Sequence, residues 1–372
     1  MNTLLTGHRT SAVALMTATL LTLSLAPATA ESLVATADAA TQTADQPPSI
    51  EDGFGLTVVS EPSWVDETQR TFTFSVAAEQ VPTPTLLPGQ KPGEHAITVT
   101  LPEDYDPGGA RRYPVLYSLH GYGDRPDNPV NQLLAERSTE GTPLITVQPN
   151  GGRSWYANWL NPRELGPQNW QDFHLDGVLP LIDANLPTDA TKQGRAIIGH
   201  SMGGFGAFRY ARQRPELFSA VGSMSGGLDL LDQEQRAAVV ASLVTSVGGL
   251  PTASADSIFG LPIWPVDEVW NAESPAQHVA ELRGMDIAMY VGNGGNLTVD
   301  PVQAIVENRA RETNLVTAAN LTAAGIPFEF VDYGDGSDWA PGCTGKHAQV
   351  SCLQADLDHF VESVLHHRPG SR

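Results

Sequence analysis

Residues 195–206 read Arg-Ala-Ile-Ile-Gly-His-Ser-Met-Gly-Gly-Phe-Gly, an apolar strand running into Gly-x-Ser-x-Gly and then into a helix of small residues. In a chain with 35 glycines the bare motif carries little weight. Its context carries more. A strand can turn sharply into a helix only where the flanking residues lack the Cβ that would strike neighbouring backbone. Such a corner lifts the hydroxyl of Ser201 above a sheet, at the positive end of the next helix. The segment therefore demands a buried parallel strand, a tight turn and a covering helix.

The rest of the chain supplies matching parts. Tyr113–Leu119, Leu144–Val147, Arg195–Ile198, Ile287–Val291 and Phe328–Val331 are short, nearly continuous apolar runs, as expected of strands covered on both faces. Helical stretches separate them at Phe173–Leu186, Gly204–Arg214 and Val302–Ala324. Three further strands are expected ahead of them, at Leu56–Val59, Thr71–Val76 and Ala96–Leu101, with a Pro- and Gly-rich loop over Gln80–Gly93. Strands alternating with helices give an α/β fold with a mostly parallel central sheet and helices on both faces. No internal repeat and no second core is visible, so residues 54–372 read as one catalytic domain.

A serine hydroxyl is a poor nucleophile and needs a base and an orienting acid, which follow it in the chain in this type of fold. Of the 10 histidines, His347, His359, His366 and His367 come late enough. His359 falls within a final helix whose buried face is Leu353, Leu357, Phe360, Val361 and Val364, and His366 and His367 fall in the tail. His347 lies in the loop between the last strand and that helix, and is the chosen base. Leu119-His-Gly-Tyr122 ends an earlier buried strand, where backbone donors for an oxyanion are expected; these are assigned to the N–H groups of Tyr122 and Met202. His120 reads as a loop-packing residue at the edge of the substrate site. Trp155, Tyr156 and Trp159 follow the next strand and form either a substrate pocket or a hydrophobic plug.

The N-terminus reads as an export signal over residues 1–30. His8 and Arg9 precede a mainly apolar run from Ser11 to Leu25, and Ala28-Thr-Ala30 has the pattern of a cleavage site. The run is short for a bilayer, so no stable membrane insertion is expected. Residues 31–53, without period and rich in Ala, Thr, Asp and Pro, read as a disordered linker. The mature protein is then secreted, extracellular or in the cell envelope. In that oxidising compartment Cys343 and Cys352 are expected to pair, closing a small ring around His347. The formal charge of −21 argues against a nucleic-acid partner. Neither a metal nor an organic cofactor is implied, and nothing in the sequence sets an oligomeric state.

The ordered set LPEDYDP, YPVLYSLHGYGD, NGGRSWYANW, GHSMGGFGA and YVGNGG resembles an esterase family of α/β-hydrolases. That family takes in esterase D-like enzymes, feruloyl-type esterases and the secreted mycolyltransferases. The likeness runs from about Phe54 to Leu365. It implies the α/β-hydrolase fold and an ester or acyl-lipid substrate of small size. In the mycolyltransferases the acid is a Glu after the GNG segment with an Asn further on, and Glu307 with Asn314 matches, so the resemblance carries the acid to Glu307. Asp300 is the rival, being nearer the strand end where esterase D-like members place an Asp. Two features depart from the mycolyltransferase pattern: His120 stands where those proteins have Asp, and Gly336-Ser-Asp-Trp339 lacks their His-Ser-Trp. The expected activity is cleavage of carboxylic esters through an acyl-enzyme on Ser201. Acyl transfer to a sugar or protein hydroxyl is the alternative, and a non-catalytic binding protein on the same fold is a second.

Overall fold

The computed structural model describes residues 46–65, 67–82, 91–245 and 252–365. The expected export signal, the linker as far as residue 45, His366 and His367 lie outside the described residues, as does most of the Gln80–Gly93 loop. A 9-stranded sheet organises the rest, in the order β1-β2-β3-β5-β4-β6-β7-β8-β9. Its strands are β1 Leu56–Trp64, β2 Thr71–Ala78, β3 His95–Thr100, β4 Val115–Leu119, β5 Ile145–Pro149, β6 Arg195–His200, β7 Ala220–Met224, β8 Asp286–Val291 and β9 Glu329–Asp332. From β5 to β9 every neighbouring pair is parallel, while β1, β2 and β3 form an antiparallel edge that joins β5. The helices are α1 Pro129–Ser138, α2 Trp170–Asp172, α3 Leu179–Asn185, α4 Met202–Gln213, α5 Gln233–Val244, α6 Glu268–Glu273, α7 Pro301–Ala323 and α8 Val350–His359.

The apolar runs became strands because both faces are covered. Every residue of β4, β5 and β7 is buried. Two apolar clusters flank the sheet: one carries Tyr117, Ile197, Phe205 and Phe208, the other Leu116, Ile198, Tyr290 and Phe360. This is the α/β-hydrolase fold that the alternating pattern implies.

Several elements differ from the sequence reading for identifiable reasons. Strand β7 has little apolar signal, because Gly222 and Ser223 interrupt it. A Cβ on Gly222 would fall 2.7 Å from the Ile198 side chain and 2.9 Å from Phe360, so tight packing selects glycine there. The helix expected over Phe173–Leu186 starts at α2, passes through a π-helical turn at Phe173–Val178 and continues as α3. Pro180 has no N–H to donate one turn back, and the chain widens at that place. The packed body also begins ahead of Phe54. Ile50 is buried, and the Glu51 N–H donates to Asn185 Oδ1 at 2.8 Å, so the linker stops short of residue 53. No described helix is long and apolar enough to cross a membrane.

Candidate active site

Ser201 stands between β6 and α4 with φ 55° and ψ −116°, a left-handed conformation that a residue with a Cβ adopts only under constraint. Its N–H donates to the Met224 carbonyl at 2.8 Å, tying the corner to the end of β7. Gly199 and Gly203 make the corner possible. A Cβ on Gly199 would overlap the backbone of Gly203, and one on Gly203 would overlap the Leu119 carbonyl at the end of β4. The motif thus presses the elbow against the His-Gly loop.

The loop after β9 brings His347 to this corner. Its Nε2 lies 2.9 Å from Ser201 Oγ and its Nδ1 2.8 Å from Glu307 Oε2. The three side chains, from β6, the last loop and α7, form one hydrogen-bonded line although residues 201 and 347 are far apart in sequence. The His347 N–H donates to the Gln303 carbonyl at 3.3 Å, which fixes the loop to the first turn of α7. Cys343 and Cys352 are joined as a disulfide around it, as the spacing led us to expect. His200 packs its ring 4.9 Å from that of His347. Burial, then the neighbouring His347 and His120, pushes His200 well below the usual imidazole range, so it adds no second positive charge beside a protonated His347.

Glu307 is fully buried. Its Oε1 accepts from Ser225 Oγ at 2.8 Å and from the Gly292 N–H at 2.7 Å, which leaves Oε2 to His347. Burying an ionised carboxylate is costly unless donors replace water, and here three are supplied. Asp300 is not brought to the imidazole. It is exposed, adopts φ 48°, and accepts from the Gln303 N–H at 3.4 Å as the cap of α7. Asn314 lies further along α7, where its Nδ2 donates to the carbonyls of Gly226 at 2.6 Å and Ala310 at 2.8 Å. It pins α7 to the turn after β7. Ser225 and Gly292 escaped the sequence reading. Gly292 opens the quoted GNG segment, and Ser225 precedes a Gly-Gly pair at the end of the unrecognised β7, which is the signal that marks it.

Met202 opens α4, so its N–H is one of the helix-start donors without an intrahelical acceptor. Tyr122 follows Gly121, whose Cβ, were there one, would fall 2.8 Å from the His200 ring. The two expected oxyanion donors therefore sit on adjoining segments. His120 packs inward behind this loop. It is buried, with Nδ1 2.8 Å from the Gly121 carbonyl and Nε2 accepting from the Gly151 N–H at 2.8 Å. Both ring nitrogens are committed to backbone, so the residue braces the loop. The three aromatics resolve towards the plug. Trp155, Tyr156 and Trp159 are all buried. Trp155 Nε1 donates to Ser242 Oγ at 3.0 Å, Tyr156 Oη to the His120 carbonyl at 2.9 Å, and Trp159 Nε1 to the Ser154 carbonyl at 3.1 Å. Their polar ends are used internally, as buried Trp and Tyr require. Among the described residues no group of His, Cys, Asp and Glu is arranged to hold a metal ion.

Fold and site together define an α/β-hydrolase with a Ser–His–Glu constellation at the carboxyl ends of its parallel strands. Residues 91–348 match the family described as Putative esterase, and the chain belongs to that family. It is 32% identical over 328 residues to Esterase Rv1288 of Mycobacterium tuberculosis H37Rv, covering 86% of this chain and 64% of that protein. The chain thus spans just under two thirds of the length of that relative. It is 29% identical to the diacylglycerol acyltransferase/mycolyltransferase Ag85A of Mycobacterium leprae, over 50% of this chain and 56% of the other. Among solved structures, the fluorophosphonate-binding serine hydrolase FphF of Staphylococcus aureus shares the fold. Its TM-score is 0.55 at 18% identity, covering 79% of this chain and 98% of that one.

Proposed function

We propose that the protein is a serine esterase working by two-step acyl transfer. The observation that carries this reading is the unbroken line from Glu307 Oε2 through His347 to Ser201 Oγ, with spacings of 2.8 and 2.9 Å. His347 takes the hydroxyl proton as Ser201 Oγ attacks an ester carbonyl. Glu307 keeps the Nδ1–H tautomer and stabilises the imidazolium. The N–H groups of Tyr122 and Met202 receive the negative oxygen, each donor contributing about 3–4 kcal/mol to the tetrahedral state. His347 then returns the proton to the departing alcohol, and water repeats the sequence on the acyl-enzyme.

Transfer of the acyl group to an alcohol is the second reading, supported by the Glu307 and Asn314 pair on α7 and by the likeness to proteins named mycolyltransferases. Export is part of the proposal, supported by the sequence of residues 1–30 and by a disulfide that suits an oxidising compartment.

A p-nitrophenyl ester assay tests the chemistry. The expected result is a burst of nitrophenol, abolished in S201A, and labelling by a fluorophosphonate at Ser201. Excess sugar alcohol diverts the acyl group to an ester product if transfer is the activity. A folded chain without burst or label is a non-catalytic member of the fold, and the proposal falls.

A further inference from the structure

We propose that Ser225 is a positioning residue that aims Glu307 at His347 by holding the far oxygen of the carboxylate. The inference rests on the roles given to Ser201, His347 and Glu307 above. Ser225 follows β7 as Ser201 follows the adjacent β6, and the two share a left-handed backbone, with φ 54° and 55°. A non-glycine residue held there costs about 1 kcal/mol or more. Its N–H is anchored on the Tyr290 carbonyl at 2.9 Å, and it is almost wholly buried. This strained corner delivers the hydroxyl to Glu307 Oε1, at 2.8 Å.

A consequence follows from that contact. With the Gly292 N–H on the same oxygen at 2.7 Å, the carboxylate cannot rotate, and Oε2 stays aimed at His347 Nδ1. Without the Ser225 hydroxyl one of the two donors that fix Oε1 is lost, so Oε2 can turn away from His347 Nδ1 and the imidazole loses its aim at Ser201. The Tyr333 phenol also faces the Ser225 hydroxyl.

The test uses the full chain with Ser225→Gly, because glycine takes the left-handed conformation without strain, and Ser225→Ala as a second variant. Turnover of p-nitrophenyl acetate, its pH profile and the downfield proton resonance of the His347 Nδ1–H are measured. Expected are a kcat about 10- to 100-fold lower with KM within about twofold, a smaller loss than the roughly 10²- to 10³-fold seen when a donor to the oxyanion itself is removed. The acidic limb of kcat/KM and the Nδ1–H resonance should both differ from those of the wild type. Folded S225G with wild-type kcat, acidic limb and resonance overturns the inference, since a purely structural serine would alter only the melting temperature. If the wild-type chain shows no Ser201-dependent turnover, the functional reading falls separately, and the resonance alone then decides whether Ser225 positions the pair.

Discussion

The indole N–H of Trp339 donates to Asp356 Oδ1 at 2.8 Å, joining the loop that carries His347 to the helix behind it. Asp356 is fully buried, and burial pushes its carboxyl well above the usual range; the Trp339 bond opposes this and the nearby Glu307 adds to it. Burial thus favours the neutral acid over the carboxylate here, and an amide of the same shape can replace it. Asp356→Asn should keep the Trp339 bond and leave stability nearly unchanged near pH 7. Asp356→Ala should cost about 1–3 kcal/mol, because it leaves the half-buried indole N–H without this acceptor. The sign with pH is fixed by the raised native value. Folding takes up a proton here, so this site's contribution to stability declines as pH rises from the ordinary aspartate range through the native value. Asp356→Asn should remove that decline. Urea titrations of the three proteins at acid and neutral pH check it, and an Asn variant as damaged as the Ala variant would sink the idea.

The Cys343–Cys352 bridge, with a sequence separation of 9, encloses His347. Closing a ring of that size removes loop entropy worth about 2–3 kcal/mol from the unfolded chain. Replacing both cysteines with serine should lower the unfolding free energy by about that amount, and should reduce kcat by freeing the loop. The Gln303 carbonyl still holds the His347 backbone, so activity should fall and not vanish. Matched melting curves and kcat values for the wild type and the double variant would refute this role if they coincide.

His174 lies in the π-helical turn between α2 and α3, with Nδ1 2.8 Å from Tyr210 Oη and Nε2 2.9 Å from the Asn150 carbonyl. Burial, assisted by His120 and His95 and opposed by the Asn150 bond, lowers it from 6.5 to about 3. The native imidazole is neutral where the unfolded one is charged. Stability is thus complete above the unfolded value of 6.5 and is lost progressively as pH falls from there toward about 3. One such proton gives a slope approaching about 1.4 kcal/mol per pH unit. His174→Gln should flatten the acid limb of the stability curve by that slope, read from chemical denaturation between neutral pH and about pH 4. A parallel limb in the variant would mean that His174 is not the group responsible.

The parallel half of the sheet was legible because strands buried on both faces leave unbroken apolar runs. Strand β7 was not, since close packing against Ile198 and Phe360 on one face selects Gly222, and Ser223 meets Gly204 and Gly226 on the other. Helices α1, α5 and α6 were also missed; α1 and α5 bury scattered positions such as Gln132, Gln235 and Arg236 in place of an apolar stripe. In the site, Ser201 and His347 could be read from a turn motif and from chain order. The resemblance was needed to prefer Glu307, because a carboxylate in the middle of a long helix carries no local mark of its partner. The aromatic cluster at Trp155 and Tyr156 stayed ambiguous for a different reason. Composition cannot tell a pocket lining from a plug, and only the internal use of their N–H and O–H groups settles which they form. Ser225 was hidden by the loss of the strand that presents it.

Glu307 and Asp300 offer a matched comparison, since one lies within α7 and the other caps it, and each becomes an amide of nearly equal shape. At Glu307 the change replaces an oxygen 2.8 Å from His347 Nδ1 with a group that cannot stabilise an imidazolium. It also reverses the tautomer that presents a lone pair to Ser201, an error that costs about 10⁴-fold in a serine protease triad. Glu307→Gln should therefore lower kcat by about 10³- to 10⁴-fold with the protein still folded. At Asp300 the side chain only accepts from the Gln303 N–H, and asparagine both caps helices and tolerates a left-handed backbone. Asp300→Asn should leave kcat within about twofold and stability within about 1 kcal/mol of the wild type. Steady-state kinetics on one p-nitrophenyl ester, with circular dichroism to confirm folding, separates the two carboxylates. A collapse of activity in the Asp300 variant with retention in the Glu307 variant would move the acid to the cap of α7 and require the His347 loop to rearrange before catalysis.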